Sequence, residues 1–422
     1  MRIARFHGML LLSLLAAACA APVAGAATIN LFDQAPQFSI YGSGMPPLYV
    51  PPPGQVVLFD APDNTWYTLV KLGRLQKQQL GQRLQAKVTY YGGCDAFDRI
   101  EAVAYIPTAI GVQPTLADVG NAVEMARFIT PFNTYNTSFP TYVFPYMGIS
   151  KFGPQLASKT QDIWIGIKGG SYPSYSNSPG TYNPCWDSSG QMNPGIPAAT
   201  YPPGLTTQQG QVIFANTGFS FSLDLLSTPP AVVPAGQPAV PAIMGAQVVT
   251  NAPASGSSTP AVYIPGTIDV PDPGTGSQTV TGTLQVIVTT HGNTEYGYFD
   301  HDSLLVNGAY VGSAFSTKAD CDSFVGSTIN PWNPTIDSGT TGKNPRNPRN
   351  WCVAGPVRTT MLNPGTPNPT SGNPGKPVQA TIFNNVTLNV GTNTLQLNLG
   401  RFVTRFGSTD GSYPTSITFI PN

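Results

Sequence analysis

Short apolar runs, rather than long helical stripes, organise this chain. Segments rich in Val, Ile, Thr, Tyr and Phe recur between turn residues at 85–91, 102–106, 162–167, 219–225, 283–290, 380–390 and 394–399. Their length and composition predict β-strands. The stretch Leu304-Leu305-Val306-Asn307-Gly308-Ala309-Tyr310-Val311 predicts a hairpin, because Asn-Gly accepts the positive φ angles of a type I′ turn. One short helix is expected within 74–85. The 44 glycines and 43 prolines supply turns throughout and oppose helix interiors. Many short strands between Gly/Pro turns predict an all-β chain built from sandwiches.

The pattern changes in three places. Arg2 and Arg5 precede the apolar run 9–18, and Ala24-Gly25-Ala26 then offers the small residues of a cleavage site. Residues 1–26 therefore read as a signal peptide, with export to the periplasm or the medium. Cys19 is the rival signal, a lipid-anchored cysteine, but Leu15 stands one place too early for that motif. Residues 171–209 are polar, aromatic and rich in Pro and Gly, as a surface insertion would be. Residues 228–276 alternate Pro, Ala, Val and Gly without strict period and read as a linker with an edge strand. The expected organisation is a first domain at 27–232 and a second at 233–422.

After the leader, no stretch approaches the ~20 apolar residues that span a bilayer, so no membrane partner is expected. Lys+Arg and Asp+Glu number 20 each, which leaves no basic surplus for nucleic acid. Only 9% of residues are charged. Few carboxylates means few groups whose protonation unfolds the chain, so tolerance of acid is expected. Beyond Cys19 the cysteines are Cys94, Cys185, Cys321 and Cys352, an even set suited to an oxidising compartment. Three pairings are open, and the simplest joins Cys94 to Cys185 and Cys321 to Cys352. No Cys/His spacing suggests zinc.

The candidate chemistry lies in two acidic clusters. One runs Cys94-Asp95-Ala96-Phe97-Asp98-Arg99-Ile100-Glu101, the other His291-Gly292-Asn293-Thr294-Glu295-Tyr296-Gly297-Tyr298-Phe299-Asp300-His301-Asp302. Each follows a predicted strand and mixes carboxylates with aromatics, as an acid/base site for sugars would. By spacing alone, loop capping or pairing with Arg99 is the better account of them. After His7, only His291 and His301 remain, too few for a clustered imidazole metal site. No Gly-x-Ser-x-Gly elbow and no Gly-rich phosphate loop is present.

At these clusters the chain resembles the peptide-N-glycosidase F family. Cys94-Asp95-Ala96-Phe97-Asp98-Arg99 followed by Arg127-Phe128-Ile129-Thr130-Pro131-Phe132 is similar to that family's signature pair. His291-Gly292-Asn293-Thr294-Glu295-Tyr296 and Phe97-Asp98-Arg99-Ile100 resemble the plant-type peptide-N-glycosidase A group instead. Cys321 and Arg349-Asn350-Trp351-Cys352 are similar to the F type's second domain, where a disulfide closes a Trp-rich loop. The resemblance covers about 80–230 and about 280–360 in patches.

That resemblance implies two jelly-roll β-sandwich domains packed side by side, with the site at their interface. It implies cofactor-free hydrolysis of the amide between the innermost GlcNAc and asparagine, on an N-linked glycopeptide or glycoprotein, by a monomer. Asp98 matches the essential aspartate that activates water, and Glu295 the second-domain glutamate that assists. Arg99 and Phe97 match residues beside the core sugar. Tyr296, His291, Arg349 and Trp351 complete the expected substrate-binding set, with Tyr298 and Trp332 as further aromatics. The chain also departs from the family: Ile163-Trp164-Ile165-Gly166-Ile167-Lys168 offers no acid where the F type carries a further glutamate. A glycan-binding protein without catalysis, or a glycosidase using the same two carboxylates, are the other expectations.

Overall fold

The computed structural model describes residues 27–38, 51–60, 65–71, 80–92, 99–130, 141–144, 146–169, 217–230, 235–244, 248–250, 262–289, 302–315, 355–356, 360–361, 381–399, 410–412 and 415–422. The first ten strands are β1 (Ala27–Phe38), β2 (Gln55–Asp60), β3 (Thr65–Lys71), β4 (Gly81–Gly92), β5 (Ile100–Ala109), β6 (Val123–Ile129), β7 (Thr141–Val143), β8 (Met147–Gly148), β9 (Gln161–Gly169) and β10 (Thr217–Pro230). Then come β11 (Val240–Pro241), β12 (Ile243–Met244), β13 (Val248–Thr250), β14 (Val262–Val270), β15 (Thr279–Val288), β16 (Asp302–Val306) and β17 (Ala309–Phe315). The last are β18 (Gly355–Pro356), β19 (Thr360–Met361), β20 (Thr381–Asn389), β21 (Gly391–Leu399), β22 (Asp410–Ser412) and β23 (Thr415–Pro421).

Two β-sandwiches of jelly-roll type result. In the first, the sheet β1-β10-β4-β7, with β8 also on β4, faces the sheet β18-β6-β5-β9-β3-β2. Their facing sides bury Phe32, Val88, Tyr90 and Phe221 against Val103, Tyr105, Phe128 and Ile165. In the second, β11-β23-β15-β20 faces β12-β14-β21-β16-β17-β19, burying Leu284, Val286, Leu388 and Phe419 against Ile264, Leu304, Leu395 and Leu397. All ladders between these strands are antiparallel. The two-residue strand β18 belongs by sequence to the second half but completes a sheet of the first, pairing Gly355 with Ile129.

Local chemistry explains the sharpest turn. Asn307 and Gly308 take φ of 50° and 78°, the left-handed pair that a type I′ hairpin needs, and so join β16 to β17. The turn is tied to the connection between β20 and β21, which crosses from one sheet to the other: the Asn307 side chain accepts from the Thr394 amide at 2.9 Å and donates to Asn393 Oδ1 at 2.9 Å. Asn393, fully buried, donates in turn to the carbonyls of Asn389 and Gly391.

The structure corrects two expectations. From Gly81 onward the predicted helix is instead strand β4, whose inward Leu84, Ala86 and Val88 serve the sandwich core. The stretch read as a linker with an edge strand contains β14, a nine-residue strand fully registered with β21 from Val262↔Leu399 to Val270↔Gly391 and paired on its other side with β12, so it is not the edge of its sheet. Its Ile264, Ile268 and Val270 alternate inward, a period-two signal hidden by Pro265 and Gly266. Strands β1, β2, β3, β6 and β23 also lie outside the runs read from sequence. Among the described residues, no helix is long and apolar enough to cross a membrane.

Candidate functional site

One end of the first sandwich gathers most of the segments in question. Gln37, Phe219 and Gly92 form a single row across β1, β10 and β4. In the facing sheet, Gly169, Glu101, Phe128 and Pro356 form a row across β9, β5, β6 and β18. The two rows are joined across the sandwich by the buried Gln37 amide, which donates to the Gly169 carbonyl at 2.7 Å. Glu101, completely buried, lays its carboxylate against the α-carbon of Gly169, where any β-carbon would collide with it. Glycine is required there by close approach rather than by backbone angle.

Arg99 is the one predicted site residue within the described set. It sits just ahead of β5, and its amide donates to Thr130 Oγ1 at 2.8 Å while its carbonyl accepts from the Thr130 amide at 2.9 Å. Those reciprocal bonds clamp the exit of the segment that carries Phe97 and Asp98 onto the end of β6. Next to them, Ile100 pairs with Ile129 and Ile129 with Gly355. Gly355, three residues beyond Cys352, therefore stands about 10 Å from Ile100, two interstrand spacings away. Asp98, Phe97, Glu295, Tyr296, His291, Arg349, Trp351, Cys94, Cys185, Cys321 and Cys352 lie outside the described residues.

The same strand β6 meets the second sandwich. Strand β15 alternates from Thr279 to Gly282 and is then buried without interruption from Leu284 through Thr289. That change marks where the strand leaves solvent and runs against the first sandwich. Gln285 Nε2 donates to the Glu124 carbonyl at 3.0 Å. Arg127 Nη1 donates to Thr289 Oγ1 at 2.9 Å, and both residues are nearly or wholly buried. Below the same junction, Gln155 Nε2 donates to the Gln237 carbonyl and the Gly236 amide to the Pro154 carbonyl, both at 2.9 Å.

Arg127 is also held from its own strand. Its Nε and Nη2 reach the two carboxylate oxygens of Glu124 at 2.7 and 2.8 Å, a bidentate fork. Residues three apart on a regular strand face opposite sides. Here β6 carries one extra residue, because Val103 pairs with Ala126 while Ala104 pairs with Glu124. Met125 is the bulged residue, and both it and Ala126 point into the core. The bulge shifts the phase so that Glu124 and Arg127 share the face toward the second sandwich.

Thr289 precedes His291 by two residues and Glu295 by six. Arg99 stands about 11 Å from the Arg127 backbone, three residues along the strands and one spacing across. Six extended residues reach about 20 Å, so the root of the Glu295 segment lies within chain reach of the root of the Asp98 segment. In the sequence Arg127 stands out only as part of a motif, and Glu124, Gln285 and Thr289 belong to no motif at all. The signal available was scarcity: Glu101, Glu124 and Glu295 are the chain's three glutamates. On β7, which follows residues 131–140, burial raises the Tyr142 phenol to about 12, so it remains a neutral donor. Among the described residues, no cluster of His, Cys, Asp and Glu is arranged to hold a metal ion.

Comparison with protein-family models and with curated proteins returns no match. Among solved structures, the chain is similar to PNGF-II in two crystal forms, at 16% and 17% identity with TM-scores of 0.51 and 0.50. Each alignment covers 94% of this chain, which spans 65% of the length of PNGF-II. It also aligns with PNGase F, a glycosylasparaginase from Flavobacterium meningosepticum, at 13% identity over 94% of this chain and 96% of that one, with a TM-score of 0.42. The likeness to PNGF-II is one of fold, the paired all-β sandwiches described above.

Proposed function

We propose that this protein is an amidase that cleaves the bond between the innermost GlcNAc and asparagine in N-linked glycopeptides and glycoproteins. Asp98 takes a proton from water as the water attacks the side-chain amide carbon of asparagine. The carbon–nitrogen bond then breaks, the nitrogen leaves protonated on the sugar as a glycosylamine, and the peptide keeps an aspartate. Glu295 orients water and substrate from the opposite sandwich. Arg99, beside Asp98, favours its ionised form and contacts the core sugar with Phe97. Tyr296, His291, Arg349 and Trp351 line the remainder of the substrate site. The reaction as read needs no cofactor, and the reading takes 1–26 as the export leader and 27–232 and 233–422 as the two domains.

One observation carries the reading. The described roots of three candidate segments meet along β6 and the residue that follows it: Arg99 clamps to Thr130, Thr289 binds Arg127, and Gly355 pairs with Ile129. The described ends of the motif-bearing segments thus flank one junction between two sandwiches, and two carboxylates supplied from opposite sides of a buried junction can divide base and acid work.

Mass analysis of a treated N-glycopeptide tests this directly. The wild-type protein is expected to leave aspartate at the former glycosylation site, and Asp98→Asn to leave the glycopeptide intact while keeping the wild-type circular dichroism. GlcNAc retained on asparagine would show a glycosidase instead. Binding without any cleavage would show a glycan-binding protein.

A further inference from the structure

We propose that Arg127 is a positioning residue that sets the register of the two sandwiches, holding the root of the Glu295 segment against the strand pair from which the Asp98 segment emerges. The inference rests on the amidase reading above and concerns residues outside its catalytic set. Among the side-chain bonds of Arg127 on one face of β6 are two to Glu124 on its own strand and one across the junction to Thr289. The junction is closed a second time by Gln285 on the Glu124 carbonyl.

Stability alone does not explain this arrangement. A buried ion pair sacrifices hydration that its Coulomb attraction scarcely restores, and apolar groups of the same volume often serve as well. What a guanidinium fork adds is direction: a planar donor set pinned by a bidentate carboxylate can hold its remaining N–H groups in one orientation. Here one of them, on Nη1, donates to Thr289, two residues before His291. The bulge at Met125 is what brings Glu124 and Arg127 to one face, so the strand is locally deformed to make the clasp. The surface pair Lys87–Asp224, at 3.3 Å with the lysine about a third exposed, has no such geometry and serves as the contrast.

Two acids on separate bodies catalyse only at a fixed separation, and a shift of about 1 Å can lower a rate by up to roughly a hundredfold. Thr289→Val removes the acceptor and leaves the ion pair intact. Arg127→Lys keeps the charge and loses the fork. In folded variants with wild-type circular dichroism, kcat on a glycopeptide is expected to fall roughly tenfold or more, with KM within about twofold because uniform substrate binding is untouched. The double variant is expected to lose no more than Arg127→Lys alone, since both remove one contact. Lys87→Ala is expected to leave kcat unchanged.

Hydrogen exchange supplies a readout independent of catalysis: faster exchange confined to 123–129 and 284–289 in both variants is expected. Wild-type kcat in folded Arg127→Lys and Thr289→Val overturns the proposal, and so does unchanged exchange in those two segments. A wild-type protein without amidase activity would sink the functional reading instead, with the exchange comparison still deciding whether Arg127 sets the register. If Arg127→Lys fails to fold, Thr289→Val decides by the same two measurements.

Discussion

The two sandwiches are built on different interiors. The first is aromatic: Phe128 packs on Phe144 and Phe221 with centroids 4.6 and 5.6 Å apart, and Tyr90 on Phe219 at 5.4 Å. The second is aliphatic, with Phe383 and Phe419 among Leu, Ile and Val. Their strands also differ in pattern. Strand β21 alternates Asn393, Leu395 and Leu397 inward with polar residues outward, whereas β5 is buried continuously from Glu101 to Ile106. The cause is what covers the outer face. On the first sandwich, Leu69, Ile106 and Trp164 pack beneath the 3₁₀ turn Leu116–Asn121, and β6 lies against the second sandwich. The sheet covered on both faces contains β5, the strand that the Asp98 segment enters after leaving β4 in the facing sheet.

The largest expected effect tests that difference. Phe128 sits on β6, in the row with Glu101, and its ring touches two others, so Phe128→Ala should cost about 3–5 kcal/mol. The matched truncation in the aliphatic core, Leu397→Ala, should cost about 2–4 kcal/mol. Urea unfolding followed by tryptophan fluorescence, with Trp164 buried in the first sandwich, measures both. Equal losses would mean that the aromatic cluster contributes only by area. A larger loss at Leu397 would invert the comparison.

The same difference explains what was legible from sequence. Strands β20 and β21 and the Asn307-Gly308 hairpin announce themselves because one face is wet and the period of two survives. Strand β14 carries the same alternation, yet Pro265 and Gly266 made it resemble a linker; its proline points outward, opposite Gln396. Strand β6 was missed because Glu124 and Arg127 interrupt the apolar run 123–129, and only the bulge at Met125 reconciles them with burial. The segment 81–85 looked helical from its Gln-, Arg- and Leu-rich composition, but two flanking strands at that edge overrode propensity. At the candidate site, motif residues were legible as residue types. The clasp beneath them was not, because hydrogen bonds between residues 162 positions apart leave no local trace.

A smaller effect probes close packing in the second sandwich. A β-carbon on Gly312 would run into the ring of Phe383, a neighbour from β20 across the core. Gly312→Ala should therefore cost about 1–3 kcal/mol through overpacking, read as a lowered urea midpoint with unchanged slope. Combining it with Phe383→Leu should recover part of the loss, because the smaller side chain vacates the space. A neutral Gly312→Ala would show the aliphatic interior to be loose enough to absorb a methyl group, widening the contrast with the ring-locked first core.

The smallest effect returns to the first sandwich and carries a pH signature. Lys151, in the 3₁₀ turn Ser150–Phe152, is mostly buried, and burial lowers its ammonium from the usual 10.5 to about 7. Its Nζ lies 5.5 Å from the Phe152 ring centroid, which returns a little of that cost. Between pH 7 and 10.5 the unfolded chain holds a proton on this lysine that the folded chain has released. Stability therefore rises with pH across that window, and below pH 7 the burial penalty is present in full. Lys151→Met should stabilise the protein at pH 6–7 by about 1 kcal/mol once lost ring contact and partial hydration are discounted. The advantage should shrink steadily toward pH 10. A difference in stability that stays constant from pH 6 to pH 10 would mean that Lys151 keeps its charge in the fold, its ammonium reaching water past the Phe152 ring.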